Sequence, residues 1–130
     1  MNILALDWGK NKIGLALGDD VIKIASPIGV WRVDKGVDDF FVKLKSLINE
    51  EQIKKIIIGN PVSLSGLTEM KLELKSFGEA VSNLGVEVIF EDERMSTGQA
   101  IKQMRENGRH GDDDDLAAMA ILQVYFDRLV

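Results

Sequence analysis

Two apolar runs near the N-terminus constrain the architecture of this 130-residue chain more than any other feature. Ile3-Leu4-Ala5-Leu6 stops at Asp7, and Lys12-Ile13-Gly14-Leu15-Ala16-Leu17-Gly18 resumes the pattern after a Gly9-Lys10-Asn11 break. Each run is too short for a helix, and so brief a connection joins antiparallel neighbours. The chain is therefore committed at its start to a hairpin within a sheet. A third extended segment, around Ile22 to Val33, carries Pro27, whose missing N–H is tolerated at a bend or on an edge strand. The opening reads as a three-stranded antiparallel meander.

From Gly36 the period changes. Val37, Phe40, Phe41, Leu44, Leu47 and Ile48 follow the i, i+3, i+4, i+7 spacing of an amphipathic helix. Ile56-Ile57-Ile58-Gly59 is a β-branched strand that runs out at Asn60-Pro61 into a loop holding Ser63, Ser65 and Gly66. Met70, Leu74, Phe77, Val81 and Leu84 mark a second helix closed by Gly85, and Val86 to Phe90 a fifth strand. The strand–helix–strand order implies a parallel crossover. Thr97 to Asn107 reads as helical, Gly108 to Gly111 as a link, and Leu116 to Leu129 as the last helix. The whole predicts an α/β domain: a mixed five-stranded sheet, an antiparallel meander plus two parallel strands, with helices on both faces.

At this length one domain spanning residues 1–130 is expected, because two halves would each be too small for a sound core. The absence of cysteine excludes a disulfide framework, a thiol nucleophile and thiolate-held zinc or iron–sulfur centres. No apolar run approaches the roughly 20 residues of a membrane span, and Asp7 interrupts the N-terminus before it could serve as a signal sequence. A cytoplasmic protein with no membrane partner is the expectation. The formal charge of −5 argues against a dedicated nucleic-acid binder, which usually carries a basic excess. Yet four of the twenty-one acids are the consecutive Asp112–Asp115; without them seventeen acidic residues stand against sixteen basic ones. Most of the acidity is local.

Acids recur at the ends of elements, where polar groups of α/β sheets converge. Asp7 terminates an apolar strand, where a carboxylate is costly unless paired, hydrogen-bonded or metal-bound; it serves either the turn that follows or a site. Asp92-Glu93-Arg94 follows the fifth strand, with Ser96 and Thr97 opening the next helix, and reads either as helix capping or as a second acidic position. Asp112–Asp115 open the last helix, whose macrodipole favours negative charge there, but four in a row repel, and a cation would offset that. Oxygen ligands of this kind suit Mg²⁺ or Mn²⁺ rather than zinc, and two such ions can drive phosphodiester hydrolysis. His110, the sole histidine, sits in a Gly-flanked polar link and reads as a solvated loop residue; Ser63 and Ser65 have no base nearby in sequence.

These residues carry a resemblance. Leu6-Asp7-Trp8-Gly9 running through Lys12-Ile13-Gly14-Leu15-Ala16, then Ala25-Ser26-Pro27, Ile58-Gly59-Asn60-Pro61 with Gly66, Asp92-Glu93-Arg94-Met95-Ser96-Thr97 with Ala100, and Asp114 followed by Ala117-Ala118 and Ile121-Leu122-Gln123 resemble, in order and nearly end to end, the YqgF/RuvX family. Its members are the Holliday junction resolvases also described as pre-16S rRNA nucleases, with a ribonuclease H-like fold. The resemblance implies a bacterial hydrolase trimming the 5′ end of precursor 16S rRNA with Mg²⁺ or Mn²⁺. It maps the acidic, metal-holding catalytic residues onto Asp7, Glu93 and Asp114. Lys10, Lys12, Arg94, Ser96 and Thr97 become the substrate-binding candidates. Departures from the family pattern are few: Lys12 stands where Arg is commoner, Asn60 where Leu is common, and Gly98-Gln99 where an acid often occurs. Branched DNA is the alternative substrate. Two other classes stand beside this reading: an actin-like phosphotransferase, which needs two such domains around a nucleotide, and a non-catalytic factor binding RNA or the ribosome. The sequence is equally compatible with a monomer and a homodimer.

Overall fold

The structure is a computed structural model, and it describes residues 1–9, 11–33, 36–60, 72–92 and 114–129. The elements follow in the order β1 (Asn2–Asp7), β2 (Lys12–Asp19), β3 (Ile24–Arg32), α1 (Val37–Glu51), β4 (Ile53–Asn60), α2 (Leu72–Ser82), β5 (Glu87–Asp92) and α3 (Asp114–Arg128). The expected helix at Thr97 to Asn107, the link to Gly111 and the loop after Pro61 lie outside the described residues.

One sheet in the order β3-β2-β1-β4-β5 organises everything. β1 pairs antiparallel with β2 and parallel with β4, β2 pairs antiparallel with β3, and β4 pairs parallel with β5. This is the predicted meander plus two parallel strands. β1 is central and covered on both faces, so its apolar residues run without alternation and Ile3, Leu4, Ala5 and Leu6 are all fully buried. Alternation then sorts them. Leu4 and Leu6, with Ile13, Leu15, Ile56 and Ile58, face Phe40, Leu44 and Ile48 of α1 and Leu74 and Val81 of α2. Ile3 and Ala5, with Ala16, Ala25 and Ile57, face Ala118, Ile121, Leu122 and Phe126 of α3. Helices therefore cover both faces, as expected.

The boundaries shift for identifiable reasons. β4 starts at Ile53, three residues before the isoleucine triplet, because Lys54 is exposed and Lys55 finds partners on both sides: Glu87 across the sheet at 3.7 Å and the Tyr125 hydroxyl of α3 at 2.9 Å. β3 begins at Ile24 rather than Ile22, because Asp19 accepts the N–H groups of Val21 and Ile22 and holds residues 20–23 as a turn. α1 ends where Gln52 takes a left-handed conformation (φ 52°), its N–H donated to the Ile48 carbonyl. Gly85 (φ 90°) follows α2 as its sequence position predicts.

Candidate active site

Asp7 is the last residue of β1, and its alternation with Ile3 and Ala5 puts its carboxylate on the face of the sheet that α3 covers. It is only 2% exposed. Opposite it on β2 stands Gly14, which brings no side chain to that position. The turn beyond is built for close approach: a Cβ on Gly9 would lie 2.6 Å from the Lys12 carbonyl oxygen. Trp8 points to the other face, with its ring 6.4 Å from that of Phe77 on α2.

Lys12 opens β2 two residues before Gly14, so it shares the face of Asp7 and is its diagonal cross-strand neighbour. The register then sets Arg32 of β3 directly opposite Lys12, and Val33 donates its N–H to the Asn11 carbonyl to prolong that pairing. Two cations therefore meet at the end of the sheet that carries Asp7. Lys12 was a candidate from sequence; Arg32 was not, since only the β2–β3 register reveals its position. The guanidinium offers a planar fork suited to phosphate oxygens, which the lysine that stands for the commoner arginine lacks.

The last helix supplies the next part. Gln123 of α3 accepts the Ala25 N–H at 3.1 Å and donates to the Lys23 carbonyl at 2.9 Å, and Phe126 packs against Gly18. Gly18 pairs with Ile3, so the C-terminal half of α3 sits at the end of the sheet where β1 begins. From there the helix runs back obliquely beneath β1, β2 and β3, while its last turn pairs Arg128 with the buried Glu91 of β5. From Gln123 back to Asp114 is about 13 Å of helix, and from Ile3 to Asp7 about 13 Å of strand. Asp114 is the first helical residue, two positions earlier than the sequence pattern suggested. A helix N-terminus accommodates the acidic run there.

β5 also ends at this edge. It extends to Asp92, two residues past the expected limit, with Asp92 registered on Asn60 at the end of β4. Glu93 follows immediately, outside the described residues, as do Lys10, Arg94, Ser96 and Thr97. Among the described residues no three metal-ligating side chains cluster. Of the predicted site residues the fold brings Asp7 and Lys12 to one end of one face, and Asp114 stands as the first residue of α3. Glu91 escaped sequence reasoning because only the fold brings Arg128, from the last turn of α3, to it.

Comparison with known proteins bears on what this arrangement does. The profile of a family described as RuvX, Holliday junction resolvase, matches residues 1–128. A protein of Dictyoglomus thermophilum is 37% identical over 134 residues, spanning 98% of this chain and 96% of its own length. One of Dehalococcoides mccartyi is 37% identical over 127 residues, spanning 92% of each. Both are named as candidate pre-16S rRNA nucleases. Among solved structures, Thermus thermophilus RuvC in complex with a Holliday junction substrate superimposes with a TM-score of 0.61 at 13% identity, over 99% of this chain and 96% of that one. The fowlpox virus Holliday junction resolvase gives 0.55 at 13% identity over the full length of both. At such identities the likeness establishes the fold, which is that of the ribonuclease H-like resolvases.

Proposed function

The chain belongs to the RuvX family of Holliday junction resolvases, and on that footing we propose that it is a divalent-metal-dependent nuclease that hydrolyses phosphodiester bonds of the 16S rRNA precursor at its 5′ end. The single observation that carries this reading is the buried Asp7 carboxylate at the end of the central strand, with Lys12 and Arg32 at the same end of the sheet. Residues 1–130 act as one catalytic domain. With no helix among the described residues long and apolar enough to cross a membrane, and an rRNA precursor as substrate, we place its action in the cytoplasm.

The donor set suits a hard cation. Asp7, Glu93 and Asp114 offer only carboxylate oxygens, and the chain has no cysteine and one histidine, so Mg²⁺ or Mn²⁺ fits where zinc does not. When bound, such an ion supplies an activated water and neutralises charge on the scissile phosphate. The protein's own part is positional. Burial holds the Asp7 carboxylate at the end of the central strand, and Glu93 and Asp114 would complete the oxygen ligand set. Lys12 and Arg32 would hold a phosphate of the substrate backbone, joined by Lys10 and Arg94, while Ser96 and Thr97 would donate to flanking phosphate oxygens.

Cleavage of a 5′-extended 16S precursor in Mg²⁺ tests the reading. Asp7→Asn and Asp114→Asn are each expected to lower the rate by about two orders of magnitude. Variants that cut as fast as wild type would remove these residues from the site. The family's description favours a second substrate, the four-way DNA junction. Presenting precursor rRNA, junction DNA and plain duplex at one salt concentration separates the two, with preferential cleavage of the rRNA expected.

A further inference from the structure

The interface between α3 and the sheet differs between its two ends. Toward Asp114 it carries small side chains: Ala117, Ala118 and Ala120 are buried, and Ala118 shares its core cluster with Ala5 and Ala16 of the sheet. Alanine against alanine lets a helix lie close to a sheet but interlocks little, so such a surface resists separation far better than it resists sliding. Toward the C-terminus the contacts become polar and directional. Gln123 holds the backbone of β3 through both ends of its amide, at 3.1 Å to the Ala25 N–H and 2.9 Å to the Lys23 carbonyl. On the other flank of the helix the Tyr125 hydroxyl accepts from Lys55 of β4 at 2.9 Å. These bonds tie one stretch of helix to strands on either side of β1, and a sliding or rolling helix would break them together.

We propose that Gln123 and Tyr125 are positioning residues that set the axial register of α3 and thereby hold Asp114, at the far end of the same helix, in place to share a cation with Asp7. The inference rests on the metal site proposed above. It extends that site by two residues removed from the metal and the substrate, on the helix whose first residue is Asp114. A one-residue slip of α3 would carry Asp114 along by about 1.5 Å, which an oxygen cage with metal–ligand distances of about 2 Å cannot absorb.

The test uses full-length protein and Mn²⁺ alone, followed by calorimetry without substrate. Gln123→Ala and Tyr125→Phe are each expected to weaken Mn²⁺ binding by about tenfold, the size usual for groups that orient a ligand rather than supply one. In cleavage assays kcat should fall by a similar factor with KM for the rRNA precursor unchanged. Tyr125→Phe removes one oxygen and keeps the ring, so it remains informative should Gln123→Ala fold poorly. Leu47→Ala, on the opposite face of the sheet, controls for lost stability: it should lower the melting temperature and leave Mn²⁺ affinity at the wild-type value. Wild-type Mn²⁺ binding that disappears in Asp7→Asn but persists at full strength in Gln123→Ala and Tyr125→Phe would overturn the register inference and leave the site standing. Absence of Mn²⁺ binding by the wild type would overturn both.

Discussion

Asp19 illustrates how one carboxylate shapes a turn at the end of the molecule remote from the site. It accepts the Val21 N–H at 2.7 Å and the Ile22 N–H at 3.3 Å, and Lys23 then closes the turn in a left-handed conformation (φ 61°). The Val21 and Ile22 amides hold the Asp19 carboxyl below its ordinary value of 3.8, with the N-terminal ammonium adding to the effect. A carboxyl with a lowered folded-state pKa contributes stability that is complete above its unfolded value and lost as the pH falls through its folded value. Unfolding midpoints measured between pH 6 and pH 2.5 should therefore fall more steeply below about pH 4 for wild type than for Asp19→Asn; parallel curves would deny Asp19 this role. At this scale sequence reasoning succeeds where chemistry is local. Asp7 stood out because an acid ending an apolar strand needs a reason to be there. Arg32 did not, since an exposed arginine at a strand end is ordinary until the register sets it opposite Lys12. Gln123 read as part of a helical pattern, and its two backbone partners, about a hundred residues away, leave no mark in the local sequence.

At the scale of elements, one tight junction is the one where β2, β3 and α3 meet. A Cβ on Gly18 would stand 2.6 Å from the Phe126 ring and 2.7 Å from the Ile24 carbonyl oxygen. The ring is fully buried and the carbonyl belongs to a paired strand, so neither has room to yield. Gly18→Ala should cost about 1–3 kcal/mol, read as a lower urea midpoint with an unchanged slope; an unaltered midpoint would mean that α3 is not seated there. Element types were legible because period and length agree: triplets of isoleucine read as strand, and an apolar stripe over four turns reads as helix. Element ends were less so. β5 continues to Asp92 because β4 offers it a partner as far as Asn60, and a strand's length follows from its neighbour more than from its own residues.

For the molecule as a whole, the antiparallel meander and the parallel pair were legible once the short first connection and the strand–helix–strand crossover were recognised, while the placing of β4 beside β1 came from the structure. What the sequence could not supply is the path of α3, whose Gln123 reaches back to the start of β3. In the site proposed above the acids would repel RNA until cations occupied them, so fluorescence anisotropy should show precursor RNA bound weakly and salt-sensitively in EDTA and several-fold more tightly in Mg²⁺. Equal affinity in both would contradict the proposed site. The path of α3 has one more effect, on the outer side of β3. Gln123 already occupies the outward N–H of Ala25, and by strand alternation the next outward amide position belongs to Pro27, which has none. An incoming strand, whether from a neighbouring molecule or from a partly folded chain during synthesis, meets two successive positions with no donor to offer. The sheet cannot be propagated along that border, and self-templated aggregation is denied one of its usual starting lines.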